Sequence, residues 1–138
     1  MIAPPIPDNE TKRQAAVEKY RLLDTMPEEN YDNITSIISS ICDAPISLIT
    51  LIDKDRNFLK SRHGVDMSES PRELSFCGHA ILQNDIFEVE NALLDPRFSD
   101  NPLVLGAPHI RAYAGCPIRT VDGYRVGTLC LIDTKSRS

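Results

Sequence analysis

The sequence has few aromatic residues, no tryptophan and no long apolar run. Aromatic residues make up 6% of its 138 residues. Because Trp is absent, no indole ring is available for a planar ligand to stack on. No apolar run approaches the roughly 20 residues needed to span a bilayer. The first eight residues contain neither the basic nor the apolar region of a signal peptide. These absences predict a cytoplasmic protein without a membrane partner.

A basic surface is also missing. The formal net charge is −5, and the Lys and Arg residues are scattered among acidic ones. Phosphate backbones are bound by clustered basic groups, so a nucleic-acid partner is not expected. The length and the hydrophobic fraction of 41% are typical of a single compact globular domain.

Cysteine is present but sparse. The four cysteines, at positions 42, 77, 116 and 130, form no CxxC pair, which argues against a zinc knuckle. They are too few for a small secreted disulfide scaffold. Cys42, Cys116 and Cys130 lie in apolar segments, so we expect reduced, buried thiols that act as small hydrophobic side chains.

The block from Pro71 to Ala80 combines a thiol and an imidazole next to an aromatic ring. Cys77 and His79 are side chains used for metal binding, nucleophilic attack and cofactor attachment. Ser75 is a predicted N-cap for a short helix through residue 82. On a helix, residues two apart point about 200° away from each other, so this pair cannot share a metal ion. Two ligands are also too few for a structural zinc site.

Periodicity and turn residues predict a single domain with few crossover connections. Residues 1–8 are predicted to be a disordered or extended lead-in. The Asp122-Gly123 turn between two β-rich runs is a hairpin signal. Because hairpins dominate, the order predicts an α+β domain with a mainly antiparallel sheet, helices on one face and a loop-rich cover on the other. We expect helices at 9–24 and 28–42, strands at 46–53, 58–62, 86–90, 111–119 and 124–133, and helical turns within 91–108.

Two helical stripes indicate packing surfaces. The second predicted helix carries an isoleucine-rich stripe that we expect to be buried against its own sheet. The first helix has a weaker stripe, which packs on the sheet or pairs with a second chain. The members are Tyr31, Ile34, Ile37, Ile38 and Ile41 in the second helix, and Ala16, Tyr20 and Leu23 in the first.

Charged residues flank the covering segment. Strand alternation places Arg111, Tyr113 and Gly115 on one sheet face. Together with Asp95 and Arg97, these side chains either clamp a polar ligand or pair with one another and with loop carbonyls to hold the cover shut.

The order of several strings makes the chain similar to a known family. It resembles the GAF domain of the bacterial signalling type, found in sensor histidine kinases and diguanylate cyclases, over nearly its whole length. It does not resemble the cyclic-nucleotide phosphodiesterase branch of that family. The strings are Tyr20-Arg-Leu-Leu-Asp-Thr-Met-Pro-Glu28, Leu51-Ile-Asp53, Phe58-Leu-Lys-Ser61, Ser75-Phe-Cys-Gly-His-Ala-Ile81, Asp95-Pro-Arg-Phe98, Asn101-Pro-Leu-Val104, Ile110-Arg-Ala-Tyr-Ala-Gly115 and Gly127-Thr-Leu-Cys-Leu-Ile-Asp133.

The resemblance implies a fold, a site and a function. It implies about six antiparallel strands in one domain over residues 9–138, without the C-terminal linker helix and effector that usually follow. It further implies a non-catalytic sensor that binds an unidentified small molecule and signals as a homodimer to an attached output domain. The chain would then not be an enzyme, and its parent protein would be a kinase, as in two-component systems, or a diguanylate cyclase. The expected ligand-binding residues are Phe76, Cys77, His79, Asp95, Arg97, Arg111 and Tyr113.

Four alternatives follow from the same residues. A covalent bilin is disfavoured because Gly78 separates Cys77 from His79 and aromatic residues are few, and a metal is disfavoured by ligand number, so the cofactor is unknown. A thiol enzyme of the free methionine sulfoxide reductase kind would need a nucleophilic Cys77 and a resolving thiol within reach. The last alternative is a ligand-free dimerisation module, in which Phe76 and Tyr113 fill the pocket.

Overall fold

The computed structural model describes residues 1–137, which form one sheet with helices and turns on both of its faces. The helices are α1 (Glu10–Lys19), α2 (Glu29–Cys42), α3 (Phe76–Ala80) and α4 (Pro102–Leu105), and the strands are β1 (Ile46–Ile52), β2 (Arg56–His63), β3 (Glu69–Pro71), β4 (Phe87–Val89), β5 (Ala112–Arg119) and β6 (Arg125–Asp133). Two single turns of 3-10 helix cover Arg72–Leu74 and Ala92–Leu94.

The sheet has six strands in the order β3-β2-β1-β6-β5-β4. Every neighbouring pair is antiparallel, which confirms the predicted α+β class with an antiparallel sheet. Strand β1 is central, and all seven of its residues are buried. Its side chains alternate between the two faces of the sheet, because Leu48 and Ile52 lie in the core below the cover, whereas Leu51 lies in the core below α1.

Helix α2 lies against β1 and β2 through its polar side chains. Thr35 is fully buried, and its Oγ1 lies 2.9 Å from Ser61 Oγ. Ser39 Oγ donates a hydrogen bond to the carbonyl of Ala44. The prediction that the isoleucine stripe is buried against the sheet is therefore wrong for Ile34, Ile37 and Ile41, whereas Tyr31 and Ile38 are half-buried. The buried hydroxyl groups of α2 need hydrogen-bond partners. Those partners lie on β2 and just after α2, so the helix turns three of its isoleucines away from the sheet.

Three of the four isoleucines of α2 form an exposed apolar face. Ile34, Ile37 and Ile41 expose 43%, 55% and 75% of their surface. Cys116, on the part of β5 that α2 leaves uncovered, is also exposed, so the expectation that it is buried is wrong too.

The N-terminal segment, residues 1–7, contains neither helix nor strand and lies along α3. The amide of Ile2 donates to the carbonyl of Arg97 at 3.0 Å. His79 Nε2 lies 3.0 Å from the Ile2 carbonyl, which can only accept, so the ring nitrogen is the donor. Pro4 is buried. The segment therefore forms part of the surface above α3.

The segment 71–111, here called the cover, spans the opposite face of the sheet from α1 and α2. Ser75 caps α3 as predicted, because its Oγ accepts from the amide of Gly78 at 3.0 Å. Asn101 caps α4 by accepting from Leu103 N at 2.8 Å, and its Nδ2 donates to the Leu74 carbonyl at 2.9 Å. These two polar side chains fasten successive turns of the cover to each other.

Among residues 1–137, no helix combines the length and apolar character that a bilayer crossing requires.

Candidate functional site

Aromatic rings fill the space between the cover and the sheet. Phe76 stacks on Phe98 with ring centroids 4.0 Å apart, and it lies 5.3 Å from the ring of Tyr113. His79 packs edge-on against Phe98 at 4.9 Å. Phe87 completes the group, 6.0 Å from Tyr113. We call these five residues the aromatic site. Offset and edge-on contacts of this kind stabilise a packed core.

Little empty volume is left beneath the cover. A cavity of about 40 Å³ lies between β1, β2 and α3, and its lining includes Asn57, Ser75, Cys77 and Tyr113. The amide oxygen of Asn57 is buried and has no hydrogen-bond partner. Small-ligand pockets usually measure about 300–1,000 Å³, so this cavity accommodates a few water-sized molecules.

Cys77 lies at the floor of the aromatic site and accepts hydrogen bonds. Tyr113 Oη donates to its Sγ at 3.1 Å, and Thr128 Oγ1 donates at 3.2 Å. Cys130 Sγ lies 3.9 Å away. The contact with Cys130, followed by the donors Thr128 and Tyr113, lowers the pKa of Cys77, although burial opposes this. The same contact and burial raise the pKa of Cys130.

His79 points away from Cys77, as the helical angle predicts. Its ring contacts Phe98 and the N-terminal segment, whereas the thiol contacts β5 and β6. Burial lowers the pKa of His79, with a smaller contribution from the nearby guanidinium of Arg97. The lowered pKa favours a neutral imidazole, whose Nε2 hydrogen is donated to the Ile2 carbonyl.

Asp95 and Arg97 bind each other at the rim of the aromatic site. Arg97 Nη2 lies 2.7 Å from Asp95 Oδ2, and Arg97 Nε lies 3.0 Å from Asp95 Oδ1. These hydrogen bonds lower the pKa of Asp95. The guanidinium also lies over the rings of Phe87 and Phe98, at 5.0 and 5.3 Å, so the pair closes the edge of the site.

Arg111 lies apart from that pair. Its Nη1 donates to the carbonyls of Val104 at 2.9 Å and Ile110 at 3.0 Å. These contacts, with those of Asp95 and Arg97, match the alternative in which the charged residues hold the cover in place. Of the seven predicted site residues, the structure brings Phe76, Cys77, His79 and Tyr113 into one cluster, with Asp95 and Arg97 at its rim.

Sequence reasoning missed Phe87, Phe98 and Cys130 as members of the site. Phe76, Phe87 and Phe98 are three of only four phenylalanines in the chain, and they converge from α3, from β4 and from the turn before α4. That scarcity was a usable signal, because few other rings are available to build an aromatic cluster. No sequence spacing indicates that Cys130 on β6 reaches Cys77.

A buried ionic cluster joins α1 to the start of the cover, and it was also missed. Glu10 accepts from Arg72 Nη1 at 2.6 Å and from Arg13 Nε at 2.8 Å. Both arginines are buried. Burial alone would raise the pKa of Glu10, but the two guanidinium groups outweigh it and lower the pKa to about 2. The carboxylate is therefore ionised at neutral pH and bridges two faces of the molecule.

The described part of the chain, residues 1–137, contains no group of three or more His, Cys, Asp and Glu side chains placed to hold a metal ion. The polar groups at the aromatic site are instead donors and acceptors that satisfy one another, apart from the Asn57 amide oxygen.

A single antiparallel sheet, with two helices on one face and a turn-rich cover over an aromatic site on the other, defines a small α+β domain. Residues 27–138 match the GAF domain family, and the chain belongs to that family.

Relatives and solved structures agree with this assignment. The chain is 43% identical over 137 residues to a Pseudomonas aeruginosa protein named cyclic di-GMP phosphodiesterase PA2567; the match covers 99% of this chain and 23% of that protein. A GAF domain structure of a phosphoenolpyruvate-protein phosphotransferase from Coxiella burnetii has a TM-score of 0.65 and 15% identity, over 94% of this chain and 80% of that one. Free methionine-R-sulfoxide reductase from Neisseria meningitidis has a TM-score of 0.63 and 16% identity, over 93% and 75%. The two structural similarities show the fold alone.

One prediction needs correction. The sequence predicted that the chain is not an enzyme and that its parent protein is a kinase or a diguanylate cyclase. The Pseudomonas relative is instead named a phosphodiesterase, an enzyme of a different class. The chain spans about a quarter of that relative's length, and a sensory domain alone carries no residue pattern that specifies its output.

Proposed function

We propose that this GAF domain is the regulatory region of a protein that hydrolyses cyclic di-GMP. The observation that carries the proposal is the 43% identity over 99% of this chain to a protein of that name. Four free cysteines suit a reducing compartment, so a cytoplasmic location is part of the proposal.

The cue would act at the aromatic site. Asp95 and Arg97 close its rim, and Phe98 lies directly under the guanidinium. A small ligand would have to displace these rings, because the cavity of about 40 Å³ is too small for most metabolites. Such a ligand would favour an open arrangement of the cover over the closed one, which is the differential binding that a population shift requires.

The Glu10–Arg72 contact provides a route from the cover to the helices. Arg72 lies in the turn that precedes α3, and Glu10 lies in the first turn of α1. A movement of α3 would therefore change the position of α1. The exposed isoleucines of α2 would form the homodimer surface through which the change reaches the attached output domain.

The regulatory role is tested in the protein that carries this chain, with cyclic di-GMP hydrolysis as the measurement. Arg97→Ala removes the rim contact, and we expect it to change the hydrolysis rate at least twofold. Arg119→Ala removes an exposed arginine at the far end of β5 and serves as the matched control. Equal rates in both variants and the wild type, or no hydrolysis at all, would refute the proposal.

A second candidate is a ligand-free dimerisation module, which the filled aromatic site favours. Native mass spectrometry of the freshly purified chain separates the two candidates, because it reports bound mass and subunit number together. A small molecule retained on the chain supports the ligand sensor. A dimer without bound mass, unchanged after incubation with cell metabolites, supports the module.

A further inference from the structure

Two buried thiols, Cys77 and Cys130, lie close together, and the regulatory role proposed above does not involve their chemistry. Their Sγ atoms lie 3.9 Å apart, and each residue is at most 2% exposed. They come from α3 and β6, which are separated by more than fifty residues in sequence. Cys42 and Cys116 are outside this core and have no thiol partner among the described residues.

Cys77 is placed as the more reactive member of the pair. Its sulfur accepts hydrogen bonds from Tyr113 at 3.1 Å and Thr128 at 3.2 Å, and donors to a sulfur favour its thiolate form. Thr128 is itself supported by Thr50, whose Oγ1 lies 2.9 Å from Thr128 Oγ1. A buried thiol that served only as a small hydrophobic side chain would not need two hydroxyl donors.

The small cavity beneath the cover gives this sulfur room for a small reactant. Cys77, Tyr113 and Asn57 line it, and the buried amide oxygen of Asn57 has no hydrogen-bond partner. Its volume of about 40 Å³ exceeds the roughly 10–15 Å³ that one water needs. Hydrogen peroxide, which is little larger than water and both donates and accepts hydrogen bonds, fits the size and the polarity of this space.

We propose that Cys77 and Cys130 are a peroxide-sensitive thiol pair that closes to a disulfide between α3 and β6. The Cys77 thiolate attacks one oxygen of hydrogen peroxide and the O–O bond breaks, which leaves a sulfenic acid and hydroxide. The hydroxide takes up the proton that Cys77 released on becoming a thiolate, which gives the first water. The Cys130 sulfur then attacks the Cys77 sulfur, the S–O bond breaks, and the displaced hydroxyl group leaves as water with the Cys130 proton. In total, two thiols and one peroxide give one disulfide and two waters.

Disulfide formation does not depend on the regulatory role proposed above, because it needs only the folded chain and peroxide. Closure brings the two sulfurs nearly 2 Å closer together and so pulls α3 toward β6. It also removes the acceptor of the Tyr113 hydroxyl. An oxidant would therefore reshape the floor of the aromatic site without binding there permanently.

Peptide mapping of the wild-type chain tests the pair directly. The chain is exposed to hydrogen peroxide, unfolded in the presence of an alkylating reagent that blocks every free thiol, and digested for mass spectrometry. We expect a Cys77–Cys130 linked peptide that dithiothreitol cleaves, and an intact mass lower by two hydrogens. If both thiols are instead alkylated after unfolding while Cys42 or Cys116 is oxidised, the proposal is wrong. This measurement needs no variant, so it does not depend on whether a variant folds.

Variants then test the assigned roles. In Cys130→Ser, dimedone should trap a sulfenic acid on Cys77, whereas Cys116→Ser should leave the disulfide yield unchanged. Tyr113→Phe removes one hydroxyl donor, and we expect oxidation of Cys77 to slow about fivefold, the change expected for one hydrogen bond. Tyr124→Phe is the matched control. Equal oxidation rates in both tyrosine variants would remove Tyr113 as a positioning residue, and an untrapped Cys77 would refute its role as the attacking thiol.

Discussion

The half-buried carboxylate of Glu10 pairs with two buried arginines. Its carboxylate faces Arg13 and Arg72, whose side chains are 1% and 5% exposed. Arg72 also donates to the Asp53 carbonyl at 3.2 Å. Buried charges are costly unless they are paired and hydrogen-bonded. The pairing with one glutamate therefore stabilises both arginines and ties α1 to the cover.

Glu10→Gln is expected to destabilise the fold in a pH-dependent way. The pKa of Glu10 is about 2 in the folded chain against an ordinary 4.5, so its ionic contribution is complete above pH 4.5. This contribution is lost as the pH falls from about 4.5 to about 2. We expect a loss of about 2–3 kcal/mol at pH 7, measured by urea unfolding, which shrinks towards zero near pH 2.

The matched control for that series is Glu18→Gln, an exposed glutamate on the same helix. Surface substitutions of this kind usually change the free energy of unfolding by less than about 0.5 kcal/mol. A difference between Glu10→Gln and wild type that stays constant from pH 7 to pH 2 would contradict the ionic explanation.

The N-terminal segment depends on the missing side chain of Gly78 in α3. A Cβ at this position would lie 2.7 Å from Pro4 Cγ and 2.9 Å from Ser75 Oγ. Glycine therefore lets the segment pack directly on the helix, beside the hydrogen bond from His79 to Ile2. The feature that separates Cys77 from His79 in the sequence has a packing role in the structure.

Gly78→Ala is expected to detach residues 1–7 from α3 without unfolding the sheet. Hydrogen exchange at the Ile2 amide, which donates to Arg97 in the wild type, should become at least tenfold faster. The double variant Gly78→Ala, Pro4→Gly removes the proline ring that the added methyl group would meet. We expect its thermal unfolding midpoint to be higher than that of Gly78→Ala alone. Unchanged protection of Ile2 in Gly78→Ala would show that the segment adapts to the added methyl group.

Five of the six strands followed from local patterns, because alternation and turn residues act over a few positions, whereas the three-residue strand β3 was not predicted. Alternation in β1, the Asp122-Gly123 turn and the Ser75 cap all act within a few residues of one another. The orientation of α2 did not follow, because its isoleucine stripe is amphipathic whichever face is buried. Thr35 and Ser39 decide that orientation through partners on Ser61 and Ala44, and a sequence pattern does not show such pairings.

The place of the aromatic site in the fold could be predicted, but its contacts could not. The Ser75–His79 block lies below the cover, and Tyr113 lies on the face of β5 that the cover packs against; that these residues bind a ligand stays a prediction. The partners of Cys77 come from β5 and β6, and contacts between distant segments depend on the sheet order. The small size of the cavity depends on how the three phenylalanine rings and the Tyr113 ring pack against each other. Composition alone does not determine that packing.

At the scale of the whole molecule, the two faces of the sheet differ in how completely they are covered. The cover closes one face over the aromatic site. On the other face α2 packs on β1 and β2 and leaves Ile34, Ile37 and Ile41 exposed. Contiguous exposed apolar side chains on a small domain usually mark an interaction surface. The proposed homodimer would bury them by pairing α2 with its symmetry mate.

Ile37→Glu is expected to weaken that dimer by at least about 100-fold in its dissociation constant. Each dimer would contain two buried, unpaired carboxylates, and central apolar contacts contribute about 2 kcal/mol or more apiece. Sedimentation equilibrium of the chain measures the constant, and Ser36→Glu, which adds the same charge at an exposed polar position of α2, should change it far less. Circular dichroism checks that both variants keep their helices. A wild-type chain that stays monomeric at high concentration, or a dimer equally weakened by both substitutions, would mean that α2 does not form the interface, and the signal would then have to leave the domain by another surface.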